Sequence, residues 1–189
     1  MIPLELASND PAFLTPIWQT GVTMNVDVCT SVRNVCRQIG IPDDYLDKRI
    51  QTLFLNGKAI DDPDTTIVPD KAVLALSAAM PGLAGATLRK GGSYASFRKT
   101  ITEASVSTPP TPPQKGSITL KLFNFISHEL APILLRYGIQ IDTSELLHLL
   151  QKAGNPFPEI RSHQTPFKSL TDLETAIRGQ ESVLLRHPD

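Results

Sequence analysis

The sequence has few cysteines and no long apolar run. Its two cysteines, Cys29 and Cys36, are seven residues apart and form no CxxC pair, which argues against a disulfide framework and against a zinc site. No apolar stretch approaches the roughly 20 residues that cross a bilayer. The first residues, MIPLELASNDP, lack the basic region and apolar core of a signal peptide. We therefore expect a cytoplasmic protein without a membrane span, whose cysteines have structural roles.

Motifs of the common enzyme classes are also missing. The chain has no Gly-rich loop ending in Gly-Lys-Ser/Thr, no HExxH and no Gly-x-Ser-x-Gly. The histidines fall in separate predicted elements, and Asp61, Asp62 and Asp64 do not have the spacing of an EF-hand loop. The sequence therefore predicts no catalytic residues, no metal ligands and no cofactor.

The charges are few and unevenly distributed. The net charge is −1, and 41% hydrophobic with 20% charged residues is ordinary for a globular protein. Residues 86–100 contain four bases and no acid. These bases form the basic strip: Arg89, Lys90, Arg98 and Lys99. Such a strip contacts RNA or acidic lipid, or docks against the acidic segment 1–85, and four cations give no strong nucleic-acid signal.

The clearest fold signal lies in residues 51–77. The short apolar run TLFL at 52–55 stops at Asn56-Gly57, a dipeptide whose tolerance for positive φ suits a tight hairpin turn, and KAI returns as the partner strand. Residues 72–76, AVLAL, are apolar throughout, which predicts a buried central strand. The segment therefore predicts a hairpin followed by a strand of the core.

Residues 12–40 predict two strands and a helix. Residues 12–18 are strand-like but contain Pro16, which suggests an edge, a bulge or an irregular entry. Residues 22–28 alternate strictly between apolar and polar, the pattern of a half-buried strand. A capped helix is predicted over residues 31–39, with one apolar stripe facing the sheet.

The order of these elements resembles the β-grasp fold of the ubiquitin-like superfamily. The likeness rests on strand 22–28, the capped helix, the hairpin LFLNGKAI at 53–60 and the closing strand 72–76, which fall in the ubiquitin order at similar spacing. The Asn-Gly hairpin looks equally like the sulphur-carrier branch, the small subunit of molybdopterin synthase and the thiamine-pathway carrier. The resemblance covers residues 12–92 and implies a mixed sheet packed on the helix.

The segment LRKGG at 88–92 is similar to the ubiquitin tail, in which a terminal diglycine is activated by adenylation. The resemblance makes Gly91 and Gly92 a candidate carrier tail. Gly92 is followed by 97 further residues, so a carrier would need cleavage after it to free the carboxylate. The alternative is a Gly-rich loop in a chain that stays intact.

Residues 100–117 form a Pro-rich linker, because STPPTPPQKG cannot pack a core. Beyond it, the sequence predicts a small α+β unit over residues 118–189, with strands near 118–123 and 182–186 and helices between them. The predicted domains are thus a β-grasp unit at 1–99, the linker, and this second unit. At about 72 residues the second unit is small, so we expect it to dock on the first unit or on a second chain, as in a homo-oligomer.

Three functions fit these features. The first is a non-catalytic β-grasp protein that acts as a protein-binding or adaptor module, with a protein partner. The second is a sulphur-carrier-like protein activated at Gly92 after proteolytic maturation. The third is a ligand-binding or catalytic protein with its site between the two units, where pockets often form.

Overall fold

The structure is a computed structural model that describes residues 1–7, 12–79, 82–90, 92–93, 112–153, 157–163 and 165–188. The described chain is a mixed α+β fold with a large mixed sheet and seven helices. The strands are β1 (Ile2–Leu6), β2 (Val22–Val28), β3 (Thr30–Ser31), β4 (Thr52–Leu55), β5 (Lys58–Ile60), β6 (Ile67–Val68), β7 (Ala72–Ser77), β8 (Gln114–Phe123), β9 (Ile139–Asp142), β10 (Ile160–Ser162), β11 (Thr165–Pro166) and β12 (Ser182–Arg186). The helices are α1 (Thr15–Thr20), α2 (Val32–Gln38), α3 (Asp43–Lys48), α4 (Gly82–Leu88), α5 (Ile126–Tyr137), α6 (Thr143–Ala153) and α7 (Leu170–Ala176).

Ten strands form one sheet in the order β11-β10-β1-β12-β9-β2-β8-β7-β4-β5, and β3 pairs separately with β6. The pairs β1·β12 and β7·β8 are parallel, and the other neighbours are antiparallel. β2 and β9 meet through one residue pair, Thr23 opposite Gln140. We call this meeting point the seam. It joins half A (β2, β8, β7, β4, β5) to half B (β9, β12, β1, β10, β11).

Strands from the two predicted units are interleaved in this sheet. β8 confirms the strand predicted at 118–123, yet it lies in half A, antiparallel to β2 and parallel to β7. β1, from the N-terminus, lies in half B between β10 and β12. The division into domains 1–99 and 118–189 stays a prediction, but each of these segments supplies a strand to the sheet half that the other mainly builds.

A continuous hydrophobic core extends under both halves. The alternation predicted for β2 is confirmed, since its four apolar side chains are buried while Asn25 is exposed. Helices α1 and α5 pack near β8, α2 packs near β2, and α6 packs near β9. One cluster of buried side chains includes both Leu4 of β1 and Leu120 of β8, each fully buried. The same core thus holds both β1 and β8 in place.

The helix predicted at 31–39 is confirmed as α2. The Ser31 hydroxyl oxygen accepts the Asn34 N–H at 3.2 Å, which satisfies one of the free donors of the first turn. The helix buries Val32, Val35 and Cys36. Cys36 is fully buried in the core, as its sequence context predicts, and this burial raises the pKa of its thiol to about 12.

The hairpin is confirmed, whereas the strand predicted at 12–18 is wrong. β4 and β5 pair across Asn56 and Gly57, which have φ of 50° and 80°. Residues 12–18 instead form a 3₁₀ turn and the start of α1, with Pro16 in the first turn, where a missing N–H breaks no helical bond. α1 buries Trp18, and the strand that pairs with β2 over its whole length is β8.

Two side chains satisfy the edge of β2 where β9 diverges from it. The Tyr137 hydroxyl donates to the Asn25 carbonyl oxygen at 2.6 Å. Two residues on, the Gln38 amide accepts the Asp27 N–H at 2.7 Å and donates to the Asp27 carbonyl oxygen at 3.4 Å. The Gln38 amide therefore bonds to β2 as a neighbouring strand would.

Replacing this amide should destabilise the protein. We expect Gln38→Ala to lower the free energy of unfolding by about 1–2 kcal/mol, because the Asp27 backbone groups lose their partners. Urea denaturation measures the change. Gln19→Ala, at an exposed position of α1, is the control and should change stability little. Equal effects of the two substitutions would contradict this role of Gln38.

Candidate interaction surface

The sheet face opposite the core carries an uncharged row of side chains. Cross-strand pairing aligns Pro3 with Leu184, Leu184 with Gln140, Gln140 with Thr23, Thr23 with Thr119, and Thr119 with Val73. All six are half-buried, whereas their neighbours along each strand that point to the core are mostly fully buried. We call these six residues the central row and the face that carries them the open face. The central row crosses the seam without a charge.

Gly21 leaves room on the open face for the side chains of Thr119 and Lys121. A Cβ at this position would lie 2.6 Å from Thr119 Cγ2 and 3.2 Å from Lys121 Cγ. Gly21 also has φ of 117°, a conformation that side chains other than glycine rarely adopt. The stem of Lys121 therefore lies over bare backbone, and any other residue at position 21 would push it away.

The two sides of the central row differ in chemistry. In half A, Phe54 pairs with Ala75, and Ala75 pairs with Lys121, so an apolar group adjoins one cation. Phe123 continues this apolar area, with 37% of its surface exposed. Half B has a charged row at the corresponding place: Arg161 pairs with Glu5, and Glu5 pairs with Arg186. The open face thus offers an apolar area and a charged area joined by neutral side chains.

A cavity of about 460 Å³ lies beside the seam, where the predicted units meet. Its lining is mostly polar: Asn25, Val26, Asp70, Lys115, Gly116, Ser117 and Tyr137. The Lys115 ammonium pairs with the Asp27 carboxylate at 2.7 Å, and Asp70 accepts the Ser117 N–H at 2.9 Å. Burial raises the pKa of the Tyr137 hydroxyl, and this hydroxyl donates its hydrogen bond to the Asn25 carbonyl oxygen.

The candidate carrier tail folds back on the protein. The Lys90 N–H donates to the Gln51 carbonyl oxygen at 2.7 Å, and the Lys90 ammonium donates to the Leu46 carbonyl oxygen at 3.0 Å. The Gly92 N–H donates to the Arg89 carbonyl oxygen at 3.1 Å. Burial lowers the pKa of the Lys90 ammonium. These bonds hold the tail against α3 and the start of β4.

The structure describes only part of the predicted tail and basic strip. Gly91, Arg98 and Lys99 lie outside the described residues. Arg89 is exposed and Lys90 is half-buried. Lys90 docks toward the acidic side of the molecule, with its ammonium 4.0 Å from the Asp47 carboxylate. For Lys90 this is the docking on the acidic segment that the sequence offers as one alternative.

Sequence reasoning missed an ion cluster on the helical side, which we call the Arg33 cluster. The Arg33 guanidinium contacts Asp64 at 2.6 Å, Asp47 at 2.9 Å and Asp43 at 3.5 Å. Arg37 also pairs with Asp43, at 2.7 Å. Asp64 is one of the three aspartates at 61–64 that the sequence considers only as metal ligands, and excludes. The spacing of Arg33 and Arg37, one helical turn apart, was the available signal.

The Arg33 cluster predisposes the protein to acid destabilisation. The Arg37 and Arg33 guanidinium groups lower the pKa of Asp43, and Arg33 lowers that of Asp47. Carboxylates with a lowered folded-state pKa stabilise above the ordinary aspartate pKa of about 3.9, and this stabilisation is lost as pH falls through the folded-state pKa. We therefore expect the free energy of unfolding to drop below about pH 4.

The matched variant for this pH dependence is Arg33→Ala. At pH 7 it should unfold more easily than the wild type, because three carboxylates lose a shared cation. Its stability should also change less between pH 5 and pH 3, on the order of half the wild-type change. Denaturant titrations at several pH values test this. Parallel pH curves for the two proteins would show that the Arg33 cluster is not the cause.

The described residues do not supply a metal centre or a membrane helix. No group of three or more His, Cys, Asp or Glu side chains in the described part of the chain is arranged to hold a metal ion. None of the described helices has the length and apolar character needed to cross a membrane.

A scan against protein-family models, a search of curated proteins and a search of solved structures each found no match.

Proposed function

We propose that the protein is a non-catalytic protein-binding module that binds its partner with the open face. The observation that carries the proposal is the central row, which offers six neutral, half-buried side chains across six adjacent strands. Neutral side chains that adjoin exposed apolar groups on one side and a charged rim on the other are typical of a protein-binding surface. The exposed aromatic ring of Phe123 beside it adds to the area suited to binding.

The proposal includes a β-grasp assignment for half A. In its support, β2, β8, β7, β4 and β5 form a mixed sheet with α2 packed near β2, and the hairpin and closing strand lie where the resemblance expects them. β8 then takes the place of the first strand, although it follows the other four in the chain. Half A would thus be a β-grasp sheet completed by a strand from the other side of the linker.

The test is a comparison of proteins captured by the natural full-length chain and by two surface variants. Val73→Glu and Leu184→Glu each put a charge in the central row, in half A and half B. Asp44→Lys, at an exposed position of α3, is the matched charge control. We expect both row variants to lose, by more than tenfold, a partner that the wild type and the control retain. A partner retained equally by all four proteins would contradict the proposal.

The seam cavity supports a second candidate function, the binding of a small ligand between the two units. Its lining combines the Lys115 ammonium, the Tyr137 hydroxyl and the Asp70 carboxylate, which suits a polar ligand. Native mass spectrometry of the intact protein from its own cells tests this candidate. A bound small molecule that Tyr137→Phe releases would favour it over the first proposal, and mass equal to the bare chain would count against it.

The carrier function at Gly92 stays a prediction, and the same mass measurement addresses it. A stable product ending at Gly92 would favour the carrier. An intact chain of 20.6 kDa would favour the binding module.

A further inference from the structure

Two exposed phenylalanines flank the turn between β8 and α5. Phe123 ends β8 with 37% of its surface exposed, and Phe125 directly precedes α5 with 50% exposed. In the described part of the chain, the other large hydrophobic residues of this exposure are Met1 and Tyr137. Cα atoms two residues apart lie at most about 7 Å from each other, so the two side chains start close together. We call residues 123–125 the aromatic turn.

Asn124 fixes the conformation of the aromatic turn. Its backbone has φ of 62°, a left-handed conformation that asparagine adopts more readily than most residues. Its side-chain amide donates to the Ser77 hydroxyl oxygen at 2.9 Å, and its carbonyl oxygen accepts the Ser127 hydroxyl at 2.9 Å. Two rings held on a fixed turn lose little conformational freedom when a partner covers them, which favours binding.

A cation lies against the second ring. The Arg49 guanidinium carbon is 5.0 Å from the centroid of the Phe125 ring, within the range of a cation–π contact. The Glu129 carboxylate pairs with Arg49 and accepts the Tyr45 hydroxyl, so this acid is already engaged. Arg49 bonds to Glu129 through Nη2 and has 47% of its side chain exposed, which leaves further guanidinium donors for a partner.

The charges beside the first ring are positive. From residue 112 to residue 128 the chain has two lysines and no acid, and α1 and β7, which pack near β8, are uncharged. Lys121 lies two residues before Phe123, on the same face of β8. The other lysine, Lys115, pairs with the Asp27 carboxylate near the opposite end of the strand. Two of the three aspartates of α3 belong to the Arg33 cluster.

We infer that the aromatic turn anchors the partner of the open face, and that the partner segment bound there carries apolar residues flanked by carboxylates. The apolar residues cover the two phenylalanine rings, while Lys121 and Arg49 each pair with a carboxylate. The inference rests on the proposed function and adds to it the chemistry of the partner. Aromatic and arginine side chains supply much of the binding free energy in protein interfaces, and charge complementarity sets orientation and specificity.

A protein segment fits the aromatic turn better than a nucleic acid. Aromatic rings beside cations also stack with bases, but proteins that bind single strands follow the phosphates with a groove lined by many cations. At the aromatic turn Lys121 and Arg49 flank the rings, Arg49 is already shared with Glu129, and the net charge of the chain is −1. These charges match a few carboxylates and not a phosphate backbone.

A display library of random linear peptides tests the inference on the full-length protein. We expect the wild type to enrich peptides in which leucine, isoleucine or phenylalanine lies within a few residues of Asp or Glu. The tightest of them should bind Phe125→Ala more than tenfold more weakly. Phe125→Tyr keeps the aromatic ring and should bind nearly as tightly as the wild type. Circular dichroism and thermal unfolding check that each variant is folded, which we expect because Phe125 is half exposed.

Charge reversal at residue 121 tests the flanking carboxylates separately. Lys121→Glu should weaken the binding of the enriched peptide, because an attraction becomes a repulsion. The same peptide with lysines in place of its acids should bind Lys121→Glu more tightly than it binds the wild type. Lys152→Glu, at an exposed position of α6, is the matched charge control and should leave both affinities unchanged. Equal effects at residues 121 and 152 would overturn the role of Lys121.

The outcomes distinguish this inference from the proposed function. If Val73→Glu and Leu184→Glu lose the natural partner while Phe125→Ala and Lys121→Glu retain it, the open face binds the partner and the inference is overturned. It is also overturned if the wild type enriches no peptide over Phe125→Ala, if the enriched peptides are basic, or if a single-stranded oligothymidylate binds more tightly than the best peptide. A partner lost by Phe125→Ala but retained by both row variants would support the aromatic turn and contradict the open face.

Discussion

The double variant Leu4→Ala, Leu6→Ala should lose about 6 kcal/mol of folding free energy, a large part of the roughly 5–15 kcal/mol that holds a typical domain together. Both leucines are fully buried. Truncating one buried leucine costs about 2–5 kcal/mol, which includes the lost transfer free energy and the cavity that remains. The five residues of β1 thus contribute a large share of the folding free energy.

The location of the loss is as informative as its size. β1 lies between β10 and β12, so hydrogen exchange should accelerate first in half B, about 150 residues away in sequence. Ile2→Ala in the same strand is the control, because Ile2 is only partly buried, and it should cost about 1 kcal/mol. Accelerated exchange confined to β2, β7 and their neighbours would contradict the position of β1.

Leu120→Ala is the second substitution with a large expected effect, a loss of about 3 kcal/mol. Leu120 is fully buried in β8, where it pairs with Val22 on one side and Leu74 on the other. The sequence assigns residue 120 to the second predicted unit. In the structure Leu120 lies between β2 and β7, so we expect truncation of its side chain to weaken half A. Hydrogen exchange in β2 and β7 should therefore accelerate more than exchange in β10 and β11.

Thr119→Ala controls for the backbone and for β propensity at the adjacent position. Thr119 points to the open face and is half-buried, so its truncation should cost less than about 1 kcal/mol. Similar losses for the two variants would show that β8 does not bury one face as described. A loss from Leu120→Ala that appears only in half B would place β8 elsewhere in the sheet.

The sequence predicts local elements well where a short-range signal defines them. The alternation of 22–28, the serine cap of α2 and the Asn56-Gly57 turn are each decided by neighbours within a few residues, and the structure confirms all three. The strand predicted at 12–18 fails for the same kind of reason. Pro16 was interpreted as an irregularity in a strand. A proline also fits the first turn of a helix, and that is where Pro16 lies in α1.

The pairing of strands could not be predicted from local sequence patterns, because it depends on contacts between residues that are far apart in the chain. β8 is separated from β2 by more than 80 residues, and its alternating pattern suits any neighbour that buries the same face. The Pro-rich segment before it indicates a domain boundary, so the sequence places β8 in a separate unit.

The open face could be predicted only in part. Alternation shows that Thr23 and Thr119 point away from the core, but their alignment with Leu184 and Gln140 requires the register of four strands. The Arg33 cluster has the same origin, since Asp64 reaches α2 from a loop about 30 residues away. Such long-range arrangements follow from the fold and not from a local motif.

Cleavage of the linker tests most directly whether the two segments share one sheet. A specific protease site inserted between residues 104 and 111 allows the folded protein to be cut once, and the products are then analysed by size-exclusion chromatography with mass detection. We expect the two fragments to elute together at the 20.6 kDa of the intact chain, because β1 and β8 each lie in the half that the other fragment mainly builds, and to separate only in denaturant. Fragments that separate under native conditions, each folded by itself, would contradict a single sheet built from both segments.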